Sequence, residues 1–222
     1  MDSAFWHDKW QANQIGFHRS CVHPFLAQHL QRLQLNRGAR ILLPLCGKTK
    51  DIQWLMQLGY NVVGIELSEL AIIQLFTELE TVPTRTHGPC WTRFDAPNIL
   101  IFVANFFDLP ATEIPAIDAI YDRAALVALP SAMRIRYTRR LLELGSNREQ
   151  LLITFDYVQD RRQGPPFAVP KSEIQQHYES HYTLALLADD NVPGGLGSNQ
   201  VLAREQAWLL LPRHSVSSVS LQ

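Results

Sequence analysis

Residues 39–67 constrain the fold more than any other stretch. "ARILLPL" (39–45) is an unbroken apolar run of strand length, the pattern of a strand buried on both faces. A short glycine-containing loop follows, then "KTKDIQWLMQLG" sets Ile52, Leu55, Met56 and Leu58 near helical spacing, with Gly59 as the stop. "NVVGIEL" (61–67) is a second, β-branched strand. Ser68 suits the N-cap of "ELAIIQLFTELE", where Leu70, Ile73, Leu75 and Phe76 are expected to form one apolar face.

The alternation continues. "ILIFVANFF" (99–107), "IDAIYD" (117–122) and "QLLITFDYV" (150–158) read as strands. "SAMRIRYTRRLLELG" (131–145) reads as a helix capped by Ser131 and ended by Gly145, with the run "RIRYTRR" on its solvated face. "KSEIQQHYES" is a short helix, and "YTLALLAD" with "QVLAREQAWLLL" make a closing antiparallel pair. The expectation is an α/β fold: a doubly wound, Rossmann-like mixed sheet, mostly parallel, with an antiparallel C-terminal edge and helices on both faces. The chain divides as one domain into an N-terminal segment (1–37), a core (38–212) and a tail (213–222). The first segment is rich in aromatics and histidine, and Trp6 and Trp10, at i and i+4, share a helical face suited to a lid over the strand ends.

Composition excludes several classes. Hydrophobic residues make up 46% and charged residues 18%, so neither disorder nor a membrane span is expected. A net charge of −1 gives no electrostatic reason to expect nucleic acid or an anionic membrane. Cys21, Cys46 and Cys90 are odd in number, widely spaced and without a CxxC, and "MDSAFWHDKW" lacks a signal-peptide layout. A reduced, cytoplasmic, monomeric protein is expected. His7, His18, His23 and Cys21 match no zinc spacing, so no metal is expected.

The Gly47-Lys48-Thr49 triplet after the first strand has the outline of a phosphate-binding loop, with Asp122 closing a Walker B-like strand. A true loop of that kind needs its first glycine at position 42, which is Leu42, and Pro44 removes a backbone donor from the cradle. A ligand should nonetheless bind outside the carboxyl ends of the strands, at the topological switch point. Glu66, at the end of the second strand, is placed to accept hydrogen bonds from both ribose hydroxyls of an adenosine ligand. With one glycine in the loop there is no space for a pyrophosphate. An adenosine that carries an amino acid instead describes S-adenosylmethionine.

"FWHDKW", "GFH", "LPLCGK", "GIELSE", "FFDLP", "YDRAALVAL" and "GPPFAVP", spread in order from residue 5 to about 170, resemble the bacterial branch of the thiopurine S-methyltransferase family. The resemblance implies a class I methyltransferase fold and S-adenosylmethionine as cofactor. It implies cofactor contacts at Trp10, Leu45, Glu66 and Arg123, with Asn105 and Phe106 beside the adenine. Phe17 would line the acceptor pocket, with Gly164 to Phe167, including Pro166, at its rim, and Arg123 could hold an anionic edge of the acceptor. The implied acceptors are small molecules: aromatic or heterocyclic thiols, and in bacteria selenium and tellurium compounds. The segment "NVPGGLGSNQ" (191–200) departs from the family pattern, with no arginine before Arg204.

Methyl transfer from a sulfonium to a thiolate destroys charge, so a dry aromatic pocket that aligns the reactants favours it. Trp6, Trp10, Phe17 and Phe167 supply such walls. A thiol already largely ionised needs no general base; Asp122 is the candidate should one be required, and its other reading is a cap on the following turn. Cys46 reads as a small residue packing a tight turn. Two rival functions remain at this stage: a nucleotide-binding switch built on Gly47-Lys48-Thr49 and Asp122, and a non-catalytic sensor of an adenosyl ligand.

Overall fold

The computed structural model describes residues 3–213, so of the tail expected over 213–222 only Arg213 is covered. The strands are β1 (Arg40–Pro44), β2 (Asn61–Glu66), β3 (Thr84–His87), β4 (Trp91–Ala96), β5 (Ile99–Ala104), β6 (Ala119–Arg123), β7 (Glu149–Asp156), β8 (Tyr182–Asn191) and β9 (Arg204–Pro212). The helices are α1 (Ser3–Gln11), α2 (Pro24–His29), α3 (Lys50–Gln57), α4 (Glu69–Glu78), α5 (Ser131–Gly145) and α6 (Lys171–Tyr178). All described strands join one sheet in the order β3-β4-β5-β2-β1-β6-β7-β9-β8.

The centre, β5-β2-β1-β6-β7, is parallel. From β1 the chain moves outward through β2 to β5, then returns to the other side of β1 as β6, which puts the switch point between β1 and β6. There the two strands part early. Their ladder ends at Leu42–Ile120, although β1 runs to Pro44 and β6 to Arg123. Pro44 brings no N–H to continue a ladder, and a crevice opens at the carboxyl ends.

Alternation along β1 explains the two layers of helices. Leu42 faces a core with Phe102, Tyr137, Tyr178 and Trp208, while Ile41 and Leu43 face one with Leu26, Ile52, Leu55 and Phe76. Each such fully buried side chain stabilises the fold by about 1.5–3 kcal/mol. Thr49 accepts from the Asp51 backbone N–H (3.3 Å) and caps α3; Ser68 does the same for α4 through Ala71 (3.4 Å). No described helix is long and apolar enough to cross a membrane.

The structure departs from the expectations in four places. First, β3 and β4 have no counterpart in the pattern; they form an antiparallel meander with β5, so both flanks of the sheet are antiparallel. Second, α4 buries Ala71, Ile72, Leu75 and Phe76, whereas Leu70 and Ile73 are 38% and 40% exposed. That helix is apolar around much of its circumference, and its pattern does not mark the arc that meets the sheet. Third, Ser131 is the first residue of α5, not its cap: Pro130 precedes the helix, whose last residue is Gly145 as expected, with a left-handed Ser146 following it. Fourth, Arg134 is not solvated. It is buried, with Nε 3.0 Å from a Glu173 carboxylate oxygen and Nη1 donating to the Ala168 carbonyl (2.7 Å).

Candidate active site

The loop after β1 leaves the strand at once. Pro44 is the last strand residue, one earlier than the apolar run suggests, and Leu45 turns left-handed (φ 47°). Cys46 donates its N–H to the Ile65 carbonyl (3.0 Å) and buries its thiol over Gly64. A Cβ on Gly64 would come within 2.8 Å of that sulfur and collide with Ile101, so the glycine is what admits the loop to the sheet. Burial, reinforced by the Glu66 charge, pushes the Cys46 thiol well up, which fits packing and not nucleophilic attack.

Gly47 is also left-handed (φ 53°), and its N–H donates to Glu66 Oε2 at 2.8 Å. The Ser68 N–H donates to Oε1 at 2.8 Å. Glu66 is 6% exposed. Burial raises its carboxyl above the ordinary range, opposed by the backbone donors of Ser68, Gly47 and Leu67 and by the charge of His7. Gly47 and Ser68 each donate to a different oxygen, so the carboxylate is fixed in place yet keeps acceptor capacity for ligand hydroxyls. Lys48, by contrast, is spent: with Lys50 it grips Glu78, each ammonium at 2.7 Å from an oxygen. The elements of a phosphate cradle are therefore absent where the triplet suggested one. Position 42 is leucine, the Gly47 donor serves a carboxylate, and the lysine is paired.

α1 lies over this loop. The Trp10 ring would be 3.1 Å from a Cβ on Gly47 and is 4% exposed. Phe17 stands edge-on to both Trp10 (5.6 Å between centroids) and Trp6 (5.9 Å), and remains half-buried. His18 follows; burial, with Lys48 beside it, holds its imidazole below the usual value. Three of the four rings expected at the site, Trp6, Trp10 and Phe17, thus meet one another, and Trp10 and Phe17 reach Gly47.

On the other side of the crevice, β6 ends in Asp122 and Arg123, and Ala124 is left-handed (φ 60°). Left-handed non-glycine residues cost of order 1–3 kcal/mol and mark places where structure is held against local preference. Here Leu45 and Ala124 flank the switch point. Arg123 borders the crevice with Pro44, Cys46 and Thr49, and among the described residues it forms no ion pair. Asp122 points the other way. It is fully buried, accepts from Tyr137 Oη (2.7 Å) and the Leu126 N–H (3.1 Å), and has its carboxyl pushed up to about 6 by burial.

Asn105 caps the turn after β5, its side-chain oxygen accepting from the Phe107 N–H (3.0 Å). The Phe106 ring is buried against Tyr137, 4.9 Å between centroids, so Phe106 offers a ligand only its backbone, whereas the Asn105 side chain is exposed. Gly164 to Phe167 follows β7 on the same edge of the sheet. Its Pro166 carbonyl accepts from Tyr157 Oη (2.6 Å), and the Phe167 N–H donates to Val127 (2.7 Å), just past β6. The Phe167 ring lies against Gly164, where a Cβ would meet it at 2.5 Å.

A buried polar chain beneath the crevice has no signal in the sequence beyond a His-Pro pair and an aspartate in the first turn of α3. Asp51 accepts from the His23 N–H (2.7 Å) and from Tyr121 Oη (3.1 Å). His23 Nδ1 accepts from the Phe25 N–H, so Nε2 carries the proton it donates to Glu205 (3.0 Å). His23 is therefore a structural cap that roots the N-terminal segment. A separate cleft of about 260 Å³, lined by Lys171, Gln175, Trp208 and Arg213, lies toward the opposite end of the sheet and contains none of the expected site residues.

The family model described as Thiopurine S-methyltransferase (TPMT) matches residues 1–211. The chain belongs to this family. It is 43% identical over 210 residues to a thiopurine S-methyltransferase of Teredinibacter turnerae, covering 95% of this chain and 97% of the relative. It is 46% identical over 211 residues to one from Xanthobacter autotrophicus, covering 95% and 99%. Among solved structures, a SAM-dependent methyltransferase of Anabaena variabilis superposes with a TM-score of 0.64 at 14% identity, over 95% of both chains. A Burkholderia thailandensis 1,6-didemethyltoxoflavin-N1-methyltransferase, with S-adenosylhomocysteine bound, gives 0.64 at 12% identity over 94% of this chain and 87% of its own. At such identities these likenesses speak to the fold, which is that of the class I methyltransferases.

Proposed function

We propose that the protein moves the methyl group of S-adenosylmethionine to a small aromatic or heterocyclic thiol, with soft selenium or tellurium anions as further acceptors. The observation that carries the reading is the Glu66 carboxylate, fixed by the Gly47 and Ser68 N–H groups beside the switch-point crevice of a thiopurine S-methyltransferase family member.

The residues present fit the cofactor. Glu66 keeps acceptor capacity for vicinal hydroxyls, Asn105 and the Phe106 backbone are the surface offered to adenine, and Arg123, without an ion pair among the described residues, has a guanidinium for a carboxylate or for the acceptor's anionic edge. Leu45 and Trp10 bound the same loop. When bound, S-adenosylmethionine supplies an electrophilic methyl on a cationic sulfur. The protein's part is to align an incoming thiolate with it and to keep water out, because charge vanishes in the displacement and a dry site favours that. Trp6, Trp10 and Phe17 act as the lid, and Pro166 and Phe167 as the rim.

Asp122 takes no proton in this reading. A carboxyl near 6 would suit a base, but both oxygens already accept internal bonds and the group has no exposure; it holds the turn that presents Arg123. The test is calorimetric titration with S-adenosylhomocysteine and, in parallel, with Mg-ATP. One-to-one micromolar binding of the former alone is expected, followed by methylation of aromatic thiols. Heat from Mg-ATP alone would overturn the reading.

A further inference from the structure

Residues 192–203, which join β8 to β9, contain no basic and no aromatic side chain. In the structure they continue the hairpin. The Val192 N–H donates to the Ala203 carbonyl (2.9 Å), and Leu196 and Val201 exchange backbone bonds (2.8 and 3.1 Å). Val192, Leu196, Val201 and Ala203 pack against Phe155, Tyr157 and Ala168. One of those partners holds the rim directly: Tyr157 donates to the Pro166 carbonyl, while Ala168, next to Phe167, is itself held through its N–H by Gln159 Oε1 (2.9 Å).

A second contact is more specific. Arg162 Nη2 donates to the Pro165 carbonyl at 2.9 Å, one residue before the rim proline. Its Nη1 occupies the space that a Cβ on Gly197 would fill, and its Nε is buried with no hydrogen-bond partner among the described residues. The guanidinium therefore lies between the Pro165 carbonyl and the bare backbone at 197. Gly197 is left-handed (φ 68°), so the loop needs glycine there for conformation as well as for room.

We infer that Arg162 and Gly197 form a clasp through which the β8–β9 connection sets the position of Pro165-Pro166-Phe167, and with it the width of ring the acceptor site takes. Arg162 is a positioning residue: it acts through the Pro165 carbonyl. The loop is a specificity element that works by backing the rim, with an apolar face and no cation to offer an acceptor. The inference rests on the reading of 164–167 as the acceptor rim.

The experiment is a double-mutant cycle with Gly197→Ala and Arg162→Ala, read as KM and kcat for thiophenol and for 6-mercaptopurine, with the S-adenosylhomocysteine Kd measured alongside. Gly197→Ala should raise KM for the two-ring thiol about three- to tenfold, and less for thiophenol, with kcat and Kd within about twofold. In the Arg162→Ala background the same change should add less than about twofold, because the clash is gone while the backbone strain at 197 remains. Arg162→Lys, which keeps the charge but not the bridge, should move KM in the same direction as Arg162→Ala. Equal effects of Gly197→Ala in both backgrounds would overturn the clasp, as would an unchanged KM in Gly197→Ala. Phe167→Ala separates the two failures. If it leaves acceptor KM untouched, the rim reading falls and takes the inference with it; if it raises KM while Gly197→Ala does not, the clasp alone is wrong.

Discussion

The two sides of the crevice are built in different ways. On the β1–β2 side, main chain does the holding: the Gly47 and Ser68 N–H groups fix Glu66, and the Cys46 N–H bonds to Ile65. On the side of 155–168, side chains reach over to hold a loop by its carbonyls, from Tyr157, Arg162 and Arg134 to Pro166, Pro165 and Ala168. Backbone donors are present whatever the sequence, so the first arrangement survives drift as long as Glu66 and the small residues at 47 and 64 persist. The second depends on particular long side chains and changes with them. A site with an invariant ligand on one side and a variable one on the other is well served by this division.

The largest effect is expected at the junction of the two sides. Asp122 has a carboxyl raised from 3.8 to about 6 in the folded protein, so the native state holds a proton that the unfolded chain has released. Stability from this group is therefore full below about pH 3.8 and is lost as pH climbs through about 6, by about 3 kcal/mol at roughly 1.4 kcal/mol per unit. Urea unfolding of wild type and Asp122→Asn at pH 4 to 7 should show their difference shrinking in favour of the variant as pH rises. Parallel profiles would mean that Asp122 ionises alike in both states.

Next comes the main-chain side. Glu66→Ala removes the acceptor of two backbone donors and should weaken S-adenosylhomocysteine binding by about 1–3 kcal/mol in calorimetry. An unchanged affinity in a folded variant would take Glu66 out of the site. Gly64→Ala should cost about 1–3 kcal/mol of stability, because the added methyl meets the Cys46 sulfur and Ile101; a melting temperature equal to wild type would show that the loop can yield. In the lid above Gly47, Phe17→Ala is expected to raise acceptor KM about severalfold while cofactor affinity stays within about twofold. Equal losses in both would mean that the ring shapes the whole lid over the main-chain side. The smallest effect is reserved for Lys48→Ala. It breaks one partly exposed ion pair with Glu78, worth about 0–1 kcal/mol, and should leave S-adenosylhomocysteine affinity nearly unchanged.

How much of this was legible follows the same division. β1, the turn after it, α3, β2 and the Ser68 cap are local in origin, set by an apolar run, a Gly and the Ser68 hydroxyl, and they stand close to where the pattern puts them, with β1 ending at Pro44. Glu66 could be singled out because a strand end and its distance along the chain define it. β3 and β4 could not, since "TRTH" has every side chain exposed and owes its strand conformation to pairing with β4 and not to burial. Arg134 reads as one of several helix arginines; its burial is dictated by Glu173 and Ala168, about forty residues away. Phe106 sits beside a ligand-like turn in sequence, yet its ring is claimed by Tyr137. Long-range partners, which no local pattern names, account for each of these.

The position of β9 has a consequence for how the protein is made. The last described strand is an inner one, pairing with β7 along Gln150–Asp156 and with β8 along its other side. Until residues 204–212 leave the ribosome, β7 presents a bare edge of "QLLITFD", apolar and rich in unpaired backbone groups, to anything nearby. Synthesis that stops short of residue 204 therefore leaves the described sheet unable to close. Such a fragment is expected to aggregate, and the arrival of residues 204–212 joins β8 to the rest of the described sheet.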